Sequence, residues 1–193
     1  MANDLEKYSQ NKTTASICIF GDSRSLIGND IADNSIDAVI TSPPYPNEKD
    51  YTRTTRLETV LLNFIRTKAE LRNLKQHLIR SNTRNVYVAD TDDLFIEQDN
   101  TVNLLAREIE RRRIDLNKTS GFERLYHRVT RLYFGGMKKH LSDLKCLLKP
   151  GAKLAYVVGD QASYLRVHIR TGEILAEIAH SLGYKVLTDV TRC

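Results

Sequence analysis

The chain has 193 residues, 41% of them hydrophobic and 27% charged, and 29 Lys and Arg against 24 Asp and Glu give a net charge of +5. The length suits one domain, and the composition excludes a wholly disordered chain. The modest positive excess permits a polyanionic partner without requiring one. No apolar run approaches the roughly 18 residues of a membrane span, and the polar, acidic start from Met1 to Lys7 is unlike a secretory signal. Cys18, Cys146 and Cys193 are far apart and lack CxxC spacing. That excludes a disulfide scaffold or a cysteine zinc site and fits a reducing cytoplasm, with no metal and no membrane expected.

In chain order, residues 1–14 read as a polar lead-in. Ser16-Ile17-Cys18-Ile19-Phe20 is a short apolar, β-branched run stopped by Gly21-Asp22, the pattern of a buried strand ending in a turn. Ile36 to Ile40 predicts a second strand, which must stop at Thr41-Ser42-Pro43-Pro44-Tyr45-Pro46 because prolines cannot continue a ladder. From Thr54 to Arg80, Leu57, Val60, Leu61, Phe64, Leu71, Leu74 and Leu78 recur at helical steps. Residues 82–100 are polar and read as a loop or mobile excursion. Residues 102–116 and 122–148 are again helical, with Ser120 a plausible N-cap between them. Lys149 to Ala152 predicts a turn, Lys153 to Val158 a third strand closed by Gly159-Asp160, Thr171 to Leu182 a helix, and Tyr184 to Val190 a fourth strand.

Strands alternating with helices predict an α/β fold with a largely parallel sheet, and ligands in such sheets sit beyond the carboxyl ends of the strands. Three of those ends carry polar residues: Gly21-Asp22, Thr41 to Tyr45, and Gly159-Asp160. Ordinary turns would explain each one singly; three together point to a shared site. The Pro43-Pro44 pair holds the backbone extended and removes two N–H donors, so nearby carbonyls are free to accept from a ligand. Ser42 adds a hydroxyl acceptor and Tyr45 a flat face. The set suits a planar molecule bearing an exocyclic amine.

Ser42-Pro43-Pro44-Tyr45 resembles the catalytic motif of the amino-methylating DNA methyltransferases, and its Ser form is similar to the cytosine-N4 branch. Asn or Asp at this position is more usual in the adenine-N6 branch and in glutamine methyltransferases. Gly21 to Arg24, Asn47 to Arg53, and Leu148 to Gly151 leading into Leu154 to Asp160 extend the likeness over roughly residues 17–190. The resemblance implies a partial Rossmann-like class I methyltransferase sheet with helices on both faces. It also implies one incomplete catalytic domain over residues 1–193, with a helical insertion over about 54–148. The methyl donor it implies is S-adenosylmethionine. The substrate is a DNA base flipped out of the duplex, held by Tyr45 and hydrogen-bonded through Ser42 and the Pro43 carbonyl. Asp22, Thr41, Gly159 and Asp160 are the implied cofactor contacts.

Among the basic residues, Lys49, Arg53 and Arg56 follow the motif, and Arg80 and Arg84 flank a polar cluster; all five are candidates for DNA contact. Arg111-Arg112-Arg113 is interleaved with acidic residues and reads as a solvated helix face. His127, His140, His168 and His180 show no ligand spacing and read as surface or core histidines.

Two features of the family are missing, its Gly-rich cofactor loop and its last strand. No Gly-rich cofactor loop follows a strand, and Gly135-Gly136 lies late in a helical stretch. The implied strand order is 3-2-1-4-5-7-6, in which the four predicted strands are numbers 3, 4, 5 and 6. Only the second and third predicted strands would then be neighbours. A second chain or self-association that completes the sheet is therefore expected. Two alternatives stay open: a non-catalytic DNA-binding remnant or partner, and an adenine-N6 or RNA methyltransferase.

Overall fold

The computed structural model describes residues 7, 15–26, 28, 30–47, 50–160 and 162–187. Its larger sheet pairs β1 (Ile36–Thr41) with β2 (Leu148–Tyr156) in parallel. These are the second and third strands read from the sequence, the one adjacency expected of the incomplete sheet. The register runs from Ala38 opposite Lys153 to Thr41 opposite Tyr156. A bulge separates this stretch from the Ile36–Leu148 pair. The predicted turn at Lys149 to Ala152 is thus absorbed into β2, with Gly151 at φ 81° making the detour.

Among the described residues no strand lies between the two. The helix predicted over Thr54 to Arg80 is three short helices: α1 (Tyr51–Thr54), α2 (Arg56–Leu61) and α3 (Lys68–Gln76). The break has a local cause. Asn63 takes φ 63°, and Thr67 starts α3 with a capping box, accepting from the Glu70 amide at 3.1 Å while Glu70 accepts from the Thr67 amide at 3.2 Å. Residues 82–99 form loops and two 3₁₀ turns, and part of the stretch is anchored on the following helices. A 3₁₀ turn at Asp92–Ile96 lies against the following bundle and buries Ile96 completely. The bundle consists of α4 (Asn100–Asp115), capped by Asp99, and α5 (Tyr126–Leu147). Ser120 was expected to cap the next helix; instead Phe122 stands at the N-cap of the 3₁₀ turn that leads into α5, and Ser120 braces the preceding loop, accepting from the Glu123 amide at 3.3 Å.

After β2 comes a small hairpin that the sequence did not signal, β3 (Ser163–Tyr164) with β4 (Val167–His168), and then α6 (Thr171–Ser181). Among the described residues two predicted strands do not form. Residues 15–20 have no regular structure, with Phe20 90% exposed, and residues 184–187 are likewise irregular. Residues 188–190 of the second lie outside the described residues.

The core is built around α5, whose Tyr133, Phe134, Met137 and Leu141 meet Val102 and Ile109 of α4, Ile174 and Ile178 of α6, and Ile96. Tyr156 and Val158 pack on it from one face of the sheet. Strand alternation then sends Ala38, Ile40, Ala155 and Val157 to the other face, where all four are exposed. Helices on both faces were expected; among the described residues only one face is covered.

Gly135-Gly136, which the sequence leaves unexplained, is a packing device. A Cβ on Gly135 would lie 1.9 Å from the Asp92 carbonyl oxygen. The bare backbone there lets the 3₁₀ turn sit directly on α5.

Candidate active site

β1 delivers the motif to the carboxyl end of the sheet. Val157 N donates to Thr41 O at 2.9 Å, one pair past the end of β2. The prolines then stop pairing, with Pro43 and Pro46 buried and Pro44 and Tyr45 half-buried. Ser42 is exposed, and its Oγ donates to the Val157 carbonyl at 3.2 Å. That spends the one hydroxyl proton inside the chain and leaves the lone pairs as acceptors.

The Tyr45 ring lies over Gly159, close enough that a Cβ there would be 3.4 Å from Cε2. Asn47, at φ 61°, donates from Nδ2 to Ser163 O at 2.8 Å. The motif is therefore tied at three successive points to the segment after β2, which brings Ser42, Tyr45 and Gly159 together. Beneath it the buried Tyr133 phenol is pushed above its ordinary range, chiefly by burial and also by the neighbouring Tyr45 and Tyr51. Its place under the motif has no signal in the sequence, because it depends on how α5 crosses the sheet.

The acidic candidates are already engaged. Asp160 Oδ1 accepts from the Gly172 amide at 2.9 Å in the first turn of α6, and the His168 imidazole bonds the Asp160 carbonyl. Asp22 faces Arg24, which donates from Nε to Oδ1 at 3.0 Å and from a terminal nitrogen to Oδ2 at 2.7 Å. Burial alone would raise the Asp22 carboxyl; the Arg24 hydrogen bonds and charge outweigh it and hold it below its usual range. Arg24 also reaches Asp92 at 2.5 Å and the Gln76 carbonyl at 2.7 Å. It pins residues 22–24 to the 3₁₀ turn and to α3.

The basic candidates separate. Arg53 is exposed, and Arg56 donates from Nε to Thr52 O at 2.9 Å while remaining half-exposed. Both lie just after Asp50, which caps α1 and accepts from Lys75 at 2.7 Å. Arg84 is exposed, 5.9 Å over the Phe122 ring. Arg80 is different: it is 2% exposed and grips Asp90 at 2.9 and 2.7 Å, while its other donors go to the carbonyls of Lys75, Gln76 and Leu78. No donor is left for a phosphate, so Arg80 is a structural residue and its candidacy for DNA contact is withdrawn. Lys49 lies outside the described residues. Among those residues no cluster of His, Cys, Asp or Glu could hold a metal, and no helix is long and apolar enough to cross a membrane.

The residues present do not make a whole cofactor pocket. Tyr45 and Gly159 form a wall, but the Asp22 and Asp160 carboxylates are bonded within the chain.

Against curated proteins the chain is similar to the Type II methyltransferase M.AvaI of Nostoc sp., with 29% identity over 160 residues, covering 78% of this chain and 31% of that protein. The protein of the same name from Anabaena variabilis matches equally. The Type II methyltransferase M.BsoBI of Geobacillus stearothermophilus is 30% identical over 185 residues, covering 83% of this chain and 34% of that protein. The chain thus spans about a third of the length of the curated relatives it matches. No family model matches it, and no solved structure matches it significantly. Each of these relatives is named a Type II methyltransferase.

Proposed function

We propose that this chain is the base-holding part of a DNA methyltransferase that methylates an exocyclic amino group, cytosine N4 in preference to adenine N6. The observation that carries the reading is the state of Ser42. With its proton committed to the Val157 carbonyl, its oxygen faces a ligand as an acceptor, as an amine substrate requires. The target amine donates to Ser42 Oγ and to the Pro43 carbonyl while the flipped base lies on Tyr45. These bonds favour a more pyramidal nitrogen, whose lone pair is freed from the ring for attack. S-adenosylmethionine would supply the methyl group. We assign Thr41, Gly159, Asp160 and Asp22 to its side of the site, but the chain's own residues leave that side unfinished. The exposed Arg53 and Arg84 and the half-exposed Arg56 serve as positive charges for the DNA backbone, with Lys49 just ahead of Arg53 in sequence.

A second reading is favoured by the engaged carboxylates and the partial length: a non-catalytic partner subunit that keeps only the DNA-facing part. One assay separates the two. Label is followed from tritiated S-adenosylmethionine into DNA, with the chain combined with the part of the Nostoc relative that it does not match. Label released as N4-methylcytosine and abolished by Ser42→Ala supports the first reading. Label that survives Ser42→Ala with Tyr45→Ala refutes the assigned site.

A further inference from the structure

Among the described residues the larger sheet is open on one face and along both edges. Among the described residues β1 and β2 pair only with each other. Parallel strands occur almost only in sheets covered on both faces. Here Ile40 is 83% exposed and Val157 58%, with Ala38 and Ala155 exposed beside them. Residues 16–20 carry strand chemistry yet lie outside any ladder, with Ile17 and Phe20 exposed. An apolar β-branched run fails to become a strand when no neighbouring strand accepts its amides.

A second copy would not close these openings. Stacking two copies face to face covers Ile40 and Val157 but leaves the outer edges unpaired. Pairing edge to edge leaves the faces bare, and each copy brings the same net charge of +5. Closing a face and an edge together takes a segment with both a helix and strands, and the relatives are about three times the length this chain spans.

We infer that the open face and edges are an interface for an α/β polypeptide equivalent to the part of the relatives that this chain does not match. That partner lays a helix across Ile40 and Val157 and adds parallel strands to the free edges. Residues 16–20 join the sheet as a strand when it docks. Ile40 stands two residues before Ser42, so the same event walls in the motif. The inference rests on the open fold and not on the proposed chemistry: a complex that forms without transferring methyl groups would sink the reaction and leave the interface standing.

Hydrogen exchange read by mass spectrometry tests it on the full chain, alone and mixed with the unmatched part of the Nostoc M.AvaI relative expressed separately. Alone, residues 16–20 and 36–41 should exchange about 100-fold faster than α5. The added polypeptide should form a one-to-one complex by light scattering and slow both segments about tenfold or more. Ile40→Lys should abolish the complex, and unchanged protection of α5 shows that this variant is folded. The inference is overturned if the lone chain already protects both segments, if a homodimer protects them, or if the added polypeptide leaves exchange unchanged.

Discussion

Gly135→Ala places a methyl group inside a contact that has no room for one. The new Cβ would lie 1.9 Å from the Asp92 carbonyl oxygen and 2.6 Å from its carbon. That is roughly 1.5 Å inside ordinary contact. Both atoms are backbone, so no side chain can swing away. Either α5 shifts or the 3₁₀ turn lifts, and lifting the turn uncovers Ile96 and breaks the Arg24–Asp92 pair. Overpacking of this kind costs about 1–3 kcal/mol and occasionally more. Alanine returns about 1 kcal/mol through helix propensity. Because both clashing atoms are backbone, the cost falls at the top of that range, and the expected net loss is about 2 kcal/mol, a fall in Tm of about 4–8 °C for a chain of this size. Gly136→Ala is the control. Its Cβ would meet only side-chain atoms, Asp92 Oδ2 at 3.3 Å and Arg24 Cδ at 3.4 Å, which can give way. It should be neutral or gain up to about 1 kcal/mol. Thermal unfolding followed by circular dichroism compares the two. A Gly135→Ala variant as stable as the parent, or equal to Gly136→Ala, would refute the packing argument.

Ser42→Ala should change stability by less than about 0.5 kcal/mol, because the side chain is exposed, yet lower methyl transfer in the completed assembly about 100-fold or more in single-turnover assays. Arg80→Met should cost about 3–5 kcal/mol in urea unfolding, since it strands the buried Asp90 carboxylate. Arg53→Ala should leave the urea midpoint unmoved and instead reduce the salt dependence of DNA binding by about one unit of slope in fluorescence anisotropy. The His140 imidazole is held between Ser23 O at 2.7 Å and the Tyr156 hydroxyl at 2.6 Å, and burial lowers its pKa from the ordinary 6.5. The unfolded chain then takes a proton that the folded chain refuses, so this contribution is present above pH 6.5 and fades below it. The slope is up to about 1.4 kcal/mol per pH unit. His140→Gln should flatten the acid side of the stability profile, and a variant as acid-sensitive as the parent would contradict the assignment.

Much of the arrangement was legible in the residues. Ile36 to Ile40 running into Ser42-Pro43-Pro44-Tyr45, and Lys153 to Val158 running into Gly159, are local patterns with local causes. Apolar β-branched runs make strands, and Pro or Gly-Asp ends them. The structure places these two strands side by side, which puts Tyr45 on Gly159. Helices α4, α5 and α6 were equally readable, because their apolar spacing is set within single turns. The β3–β4 hairpin was not, since its turn residues Leu165 and Arg166 take φ 54° and 66° without the Gly or Asn that normally announces such a turn.

Burial and pairing, by contrast, depend on what arrives from elsewhere in the chain. Arg80 and Arg84 look alike in sequence, but Asp90 folds back over the first and leaves the second exposed. Gly135-Gly136 has meaning only once the Asp92 turn crosses it. Residues 16–20 keep the composition of a strand and do not form one, because a strand is a relation between two segments and its neighbour is not among the described residues. Sequence alone determined which residues stand at the end of β1. Tertiary structure decided which charges remain free to meet a ligand and which sheet edges stand open, because both follow from long-range packing that no local pattern encodes.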